Sequence, residues 1–453
     1  MLQPSFRVGL RSVSDWIAFA VRSDCVRRPI GLRSVPDQIA FAATGTDRTG
    51  ELYVDPQGRI APRPEILPEG CVTFAHEGEL LVTPGLCDLH VHFRDPGQTA
   101  SEDLASGAAA AANGGFTRVV TMPNTLPATD SPELVARAKN AALPVSIYPS
   151  ACCTRARNGK VPAELEALAE AGASCFTDDG SMVSNPEVME AVMRRAKALG
   201  RVVMDHAVRP EIQQGGVIRE CPLAERLGLK VFPAEAEIQA VRDDIAVCRR
   251  TGCPLHIQHI SCAETVRLVA EARREGLPVT AEITPHHLAL AAEEIPGDDA
   301  NWRMNPPLGT RADRAALRQA LLDGTVAIFA TDHAPHTPES KSQGFGKGPF
   351  GIIGLETAFA VTWHEMVLKD GLAPLAWAAY WITNPNRLLG LTPPTLEVGQ
   401  TAELALFAPD LPWQVTPQAL ASKSHDTPWL GQTLTGRCLA TYRNGTLRHT
   451  TGK

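Results

Sequence analysis

From Leu86 onward the chain alternates short apolar runs of strand length with longer stretches whose apolar residues recur at helical spacing. Phe116–Met122 precedes the helix-length Pro132–Ala142, and Val145–Ser150 precedes Pro162–Ala171. Leu86–His90, Cys175–Asp178, Val202–His206, Leu255–His259, Val279–Ile283 and Val326–Thr331 are further strand candidates, each followed by a segment able to form a helix. Eight such alternations predict an α/β fold between residues 84 and 391, a parallel sheet closed into a (β/α)8 TIM barrel. Both flanks read differently. Glu51–Ile60, Glu79–Thr83, Thr401–Phe407 and Gly436–His449, the last with an Asn444-Gly445 turn, are short strands. They predict one small β-sandwich built from both termini, residues 46–83 and 392–453. Residues 1–45 fit neither pattern: VGLRSVSDWIAFA (8–20) returns as IGLRSVPDQIAFA (30–42), offset by 22 residues. Two copies are too few for a solenoid. We read this extension as sequence upstream of the true start codon, with a docking arm or a transit-like segment as alternatives.

Composition narrows the class. The chain has 453 residues, 44% hydrophobic and 21% charged, which excludes a disordered protein. Aromatic residues make up only 5%, so Ala, Val, Leu and Ile must pack much of the interior, as in a layered barrel. Against 50 acidic residues there are 43 basic ones, a net charge of −7, and no global basic field to attract nucleic acid or an anionic membrane. The sequence contains neither a long apolar run nor a secretory leader pattern. Eleven scattered cysteines without a Cys-x-x-Cys pair indicate reduced thiols and a cytoplasmic protein rather than a disulfide framework or a thiolate zinc site.

The predicted strand ends carry the chemistry. His90 and His92 close the first strand, Asp179 follows the fourth, His206 ends the fifth, His259 ends the sixth and Asp332 follows the eighth. In a β/α barrel the carboxyl ends form one rim, so these six groups converge. His90 and His92 are two apart on a strand and point to one side, where both imidazoles can reach one cation. A single histidine at a strand end is usually a packing residue, but four imidazoles with two carboxylates at one rim need a compensating cation. Nitrogen and oxygen ligands without sulfur suit Zn2+, and six exceed the need of one tetrahedral ion, so two ions sharing a carboxylate are expected, one being possible. His286 and His287 follow the seventh strand and are left out, because six ligands already complete the pair.

The motifs DLHVHFRDPG (88–97), MPNT (122–125), FTDDG (176–180), NPPL (305–308) and TDHAPH (331–336) resemble those of the dihydroorotases, bacterial type I, in the amidohydrolase superfamily. The resemblance runs from about residue 51 to the C-terminus. It implies a barrel with a composite β-sandwich and the reversible zinc-dependent cyclisation of N-carbamoyl-aspartate to dihydroorotate in pyrimidine biosynthesis. Carried over by motif, His90, His92 and Asp332 hold the first metal, His206 and His259 the second, and Asp179 bridges, with Asp178 as its rival. Asp332 also serves as general base and then acid, while water activated between the cations attacks the ring amide. Arg94, Asn124 and His336 are assigned to the substrate carboxylate, and His92 to substrate binding at the same rim; for Arg94 the alternative is a surface pair with Asp95. Asn305 is expected to contact the ring, and Phe350 and Gly351 to line the pocket.

The Gly-rich segment 337–354 reads as a lid, and its spacing matches neither a P-loop nor a dinucleotide fingerprint. Hydantoinases, dihydropyrimidinases and the other dihydroorotase type bridge their metals with a carboxylated lysine. No lysine lies between Lys160 and Lys197, which weakens that cyclic-amide hydrolase alternative, allantoinase included. A scaffold for aspartate carbamoyltransferase is the remaining alternative, and a retained ligand set makes it an addition at most. Beyond the small-molecule substrate, the expected partners are that carbamoyltransferase and a second copy in a homodimer.

Overall fold

The computed structural model describes residues 17–19, 52–62, 64–65, 72–74 and 79–451. In chain order the strands are β1 (Ile17–Phe19), β2 (Leu52–Val54), β3 (Ile60–Ala61), β4 (Val72–Phe74), β5 (Leu81–Pro84), β6 (Leu86–Val91), β7 (Phe116–Thr121), β8 (Ser146–Ile147), β9 (Ser150–Ala151), β10 (Cys175–Phe176), β11 (Val202–Asp205), β12 (Leu255–Ile257), β13 (Val279–Ala281), β14 (Leu404–Gln414), β15 (Thr433–Arg443) and β16 (Thr446–Thr450).

Strands β6 to β13 pair in parallel, β6 with β7 and β7 with β8, then β9 through β13 in sequence order. β8 and β9 are two pieces of one extended segment. Past β13, Ile283 bridges Phe329, and His333 bridges Val91 of β6, which closes the ring with eight strand positions. The fold is therefore an α/β barrel. The eighth position, expected as a strand over 326–331, makes isolated bridges instead, His333 pairing also with Ile352. The buried Asp88 carboxylate accepts from the backbone N–H of Thr331 at 3.1 Å and from its hydroxyl, and Thr331 Oγ1 in turn accepts from His333 N. Side-chain bonds take the donors a regular ladder would use.

Cys87 and Leu89, Val120 and Met122, and Val202 and Met204 join Cys175, Ile328 and Leu389 in one buried cluster. The helix Leu104–Asn113 starts on an Asp103–Ser106 capping box and buries Ala108, Ala110, Ala111 and Ala112. Its Gly107 lies under the Phe93 ring, where a Cβ would come within 2.3 Å of Cδ1, so this contact requires glycine. The helix Pro186–Ala198 starts on an Asn185 cap and buries Met189, Val192, Met193 and Ala196, the spacing of a single face.

Outside the barrel, β16, β15, β14 and β5 form an antiparallel sheet, so both flanks of the sequence contribute to it. The β15–β16 hairpin turns on Asn444 and Gly445, both at positive φ, as the Asn-Gly signal predicts. This sheet meets the barrel through Phe407, stacked on Phe359 with ring centroids 4.1 Å apart, a pair contributing about 0.5–1.5 kcal/mol beyond its buried area. A second sheet has the order β3-β2-β1-β4. Of the extension 1–45 only β1 is described, and the rest of the duplicated segment lies outside the described residues. Among the described residues, no helix is long and apolar enough to cross a membrane.

Candidate metal centre

The carboxyl ends of the barrel strands bring together residues separated by up to 242 positions in the chain. His90 is the last residue but one of β6 and His92 directly follows the strand; Asp179 lies beyond β10, His206 directly after β11, His259 two residues after β12, and Asp332 past the eighth position. All six are buried. His90 Nε2 lies 3.2 Å from Asp179 Oδ1 and 3.5 Å from Asp332 Oδ1. His92 Nε2 lies 3.1 Å from Asp332 Oδ1 and 3.6 Å from Asp179 Oδ2. His206 Nδ1 faces His259 Nε2 at 2.9 Å and Asp179 Oδ1 at 3.8 Å. One ligand atom from each of His90, His92 and Asp332 falls within 4.8 Å of the others, and the same holds for His90, Asp179 and His259.

The outer nitrogens of the first two imidazoles are already committed. His92 Nδ1 donates to Asn124 Oδ1 at 2.9 Å, and His90 Nδ1 donates to Glu282 Oε1 at 2.7 Å. In the neutral rings both Nε2 atoms then present lone pairs to carboxylate oxygens, an arrangement that repels unless a cation stands between them. His90 Nε2 and Asp179 Oδ1 are buried with no hydrogen-bond partner, as is His259 Nδ1. Nitrogen and carboxylate donors of this kind fit a divalent metal of the zinc type.

Electrostatics points the same way. Burial opposes a charge on His90, but Asp179, Glu282 and Asp332 outweigh it and raise its pKa well above the ordinary value. For Asp179 burial would act upward, yet His92 and His90 hold it well below the usual carboxylate range. Burial lowers His206, and burial together with His206 and His90 lowers His259 much further. Positive charge is thus favoured at the centre of the carboxylates. Asp178, next to Asp179, turns away: its carboxylate accepts from the backbone N–H of Thr154 at 3.1 Å and from the Thr154 hydroxyl. Three rim residues, Arg94 (φ 55°), His259 (φ 30°) and Asp332 (φ 48°), hold left-handed backbone, which costs about 1–3 kcal/mol each for non-glycine residues and concentrates at functional sites.

Above the cluster lies a cavity of about 160 Å³ lined by His92, Arg94, Asn124, Asp179, His206, His259, Asn305, Asp332, His336, Phe350 and Gly351, among others. Arg94 Nε donates to Pro335 O at 3.2 Å, and among the described residues no carboxylate pairs with its guanidinium. The neighbouring Asp95 pairs with Arg137 at 2.7 Å instead, so the surface pair considered for Arg94 does not form. Burial lowers the Arg94 pKa, with Asp332 and Asp179 opposing. His336 Nε2 donates to Phe350 O at 2.6 Å, and burial beside Arg94 pushes its pKa down to about 3, which keeps it neutral. Asn305 places its amide 2.9 Å from His206 Nε2. The amide of Asn124 sits between ligand candidates, bonded to His92 and, at 3.0 Å, to Asp179 Oδ2.

The segment 337–354 is tied down at Lys341. This buried ammonium donates to the carbonyls of Ala300 at 2.8 Å and Pro349 at 3.1 Å, and also to that of Gly351. Sequence reading missed Lys341 as an anchor, and missed Glu282 and His256, which reach the cluster from below. Burial alone would raise Glu282, but His90 and His256 hold it at about 2. Its sequence signal was slight: a polar residue just before the end of the seventh apolar run. His287, left out of the ligand set, bonds Thr284 Oγ1 at 2.8 Å and Pro306 O at 3.2 Å.

A family model described as dihydro-orotase-like matches residues 78–265. The dihydroorotase of Pelotomaculum thermopropionicum is 43% identical over 367 residues, covering 81% of this chain and 86% of that protein. That of Bacillus caldolyticus is 42% identical over 375 residues, covering 82% and 87%. Among solved structures, L-hydantoinase from Arthrobacter aurescens superposes with a TM-score of 0.79 at 21% identity, covering 97% of each chain. Dihydropyrimidinase from Brevibacillus agri gives 0.77 at 21% identity, covering 97% of this chain and 96% of that one. At that identity the solved structures establish a shared fold.

Proposed function

The chain belongs to the dihydroorotase family, and on that premise we propose that it interconverts dihydroorotate and N-carbamoyl-aspartate, opening and closing a cyclic amide in pyrimidine biosynthesis. The observation that carries the reading is the meeting of four buried imidazoles and two carboxylates beneath a cavity whose wall holds Arg94, with no carboxylate partner among the described residues. We infer two zinc ions per chain, with His90, His92 and Asp332 for one, His206 and His259 for the other, and Asp179 between them; the approach of His90, His92 and Asp332, and of His90, Asp179 and His259, to within 4.8 Å supports the reading. When bound, the metal supplies Lewis-acid polarisation of the amide carbonyl and lowers the pKa of water.

The remaining work falls to the chain's own groups. Asp332, at the boundary of cluster and cavity, takes a proton from the attacking water and passes it to the departing ring nitrogen. In ring closure it takes the proton of the attacking ureido nitrogen and returns it to the departing carboxylate oxygen, which with a second proton from solvent leaves as water. Arg94 pairs its planar fork with the substrate carboxylate, and the neutral His336 beside it leaves Arg94 as the local positive charge. Asn124 and Asn305 lie at the wall with one face toward substrate and the other against His92 and His206. Phe350 and Gly351 close the far side. The lining contains no lysine, which favours dihydroorotate chemistry over that of a carboxylated-lysine hydantoinase site. We extend the reading to a cytoplasmic enzyme that acts as a homodimer or beside aspartate carbamoyltransferase, which sedimentation of the purified chain, alone and mixed with that enzyme, tests.

The deciding assay follows ring opening of dihydroorotate, hydantoin and allantoin, with and without chelator. Turnover of dihydroorotate that is lost on chelation and restored by zinc is expected. A preference for hydantoin or allantoin, or rates indifferent to chelator, would overturn the proposal.

A further inference from the structure

Glu282 lies one residue past β13, fully buried, and it is absent from the cavity wall. Its Oε1 accepts from His90 Nδ1 at 2.7 Å and from the backbone N–H of His259 at 3.2 Å. Its Oε2 accepts from His256 Nε2 at 2.9 Å, and His256 Nδ1 receives the Thr280 hydroxyl at 2.8 Å. A carboxylate without solvent is costly unless donors surround it, and here three do. We propose that Glu282, backed by His256, is a positioning residue that holds His90 and His259, one ligand from each proposed ion site, in metal-binding orientation. The inference rests on the metal reading of the cluster.

Three consequences follow from the contacts. Because the Glu282 carboxylate only accepts, the His90 proton is confined to Nδ1, and Nε2 is left with its lone pair between Asp179 Oδ1 and Asp332 Oδ1. The negative charge behind the ring strengthens Nε2 as a donor to a cation. The bond to the His259 backbone holds a residue at φ 30°, so that its imidazole turns toward His206. His256 and Thr280 complete the line by holding the second carboxylate oxygen, which stops Glu282 from rotating away.

The test uses the full chain, stripped of metal and titrated with zinc against a chromophoric chelator. Glu282→Gln keeps the shape and removes the charge; we expect zinc affinity to fall roughly ten- to a hundredfold, as for other outer-shell partners of metal-bound histidine. At saturating zinc, kcat should fall while KM for dihydroorotate stays unchanged, since Glu282 does not reach the cavity. The visible spectrum of the cobalt-loaded variant should differ from wild type. His256→Asn cuts only the outer bond and should lose about three- to tenfold of zinc affinity, so it carries the test should Glu282→Gln fail to fold. Wild-type zinc affinity in whichever variants fold would overturn the inference, as would a lower melting temperature of the metal-free form with zinc affinity intact. A wild-type chain that takes up no zinc would instead overturn the metal reading itself, and this inference with it.

Discussion

Asp332 places one oxygen 3.1 Å from His92 and 3.5 Å from His90 on a strained backbone, so its carboxylate belongs at once to the cluster and to the cavity. Asp332→Asn preserves the shape but can neither accept nor return a full proton. We expect turnover of dihydroorotate to fall by about 10³-fold or more, with part of the zinc retained by metal analysis; a near-normal rate would refute the acid/base role. Arg94 differs because it touches none of the imidazoles that meet at the carboxylates. Arg94→Ala should raise KM for dihydroorotate by roughly ten- to a hundredfold and leave zinc content unchanged, a split readable from steady-state kinetics beside metal analysis. At this scale the residue types at strand ends were readable in sequence, but their partners were not. Asn124 read as a substrate contact, yet its amide also joins His92 to Asp179.

Between the strands and the cavity, the connecting segments decide what substrate meets. Gly351 has φ 125°, and a Cβ there would lie 2.6 Å from Ala334 O and 2.9 Å from His336 Nε2. Gly351→Ala must therefore displace His336 or the wall itself, and dihydroorotate kcat/KM should drop at least about tenfold, with His336 geometry visible in a crystal structure of the variant. The 419–424 segment is held differently, by Glu356, which accepts from Ala421 N at 2.7 Å and Ser422 N at 3.3 Å. Burial raises the Glu356 pKa from 4.5 to about 7. As pH rises across that window the unfolded chain releases this proton before the folded one does, so the folded state loses stability from this group between about pH 4.5 and 7. Glu356→Gln should remove that part of the slope, as checked by melting metal-free wild type and variant from pH 5 to 8. Most strands were legible at this scale because parity and turn residues are local signals. The irregularity of the eighth was not, because Asp88, far away in the chain, takes the donors of Thr331.

Across the whole molecule, a metal that ties together strands from both halves of the barrel binds the folded state alone, so its binding free energy adds to stability. Zinc held at a thousandfold excess over its dissociation constant would add about 4 kcal/mol. Chelation should lower the melting temperature by several degrees and readdition of zinc should restore it, measured by calorimetry. By itself the sequence determined the β/α alternation and the family, and it led to the expectation of β-rich flanks and of a site at the strand ends. Each of these is written in local periodicity or contiguous motifs. The tertiary structure alone decided that Asp179 and not Asp178 faces the imidazoles, since neighbouring residues point apart and Thr154 claims the other. It alone joined His90 to Glu282, 192 residues away, because a hydrogen bond across a closed barrel leaves no trace in the pattern of either strand.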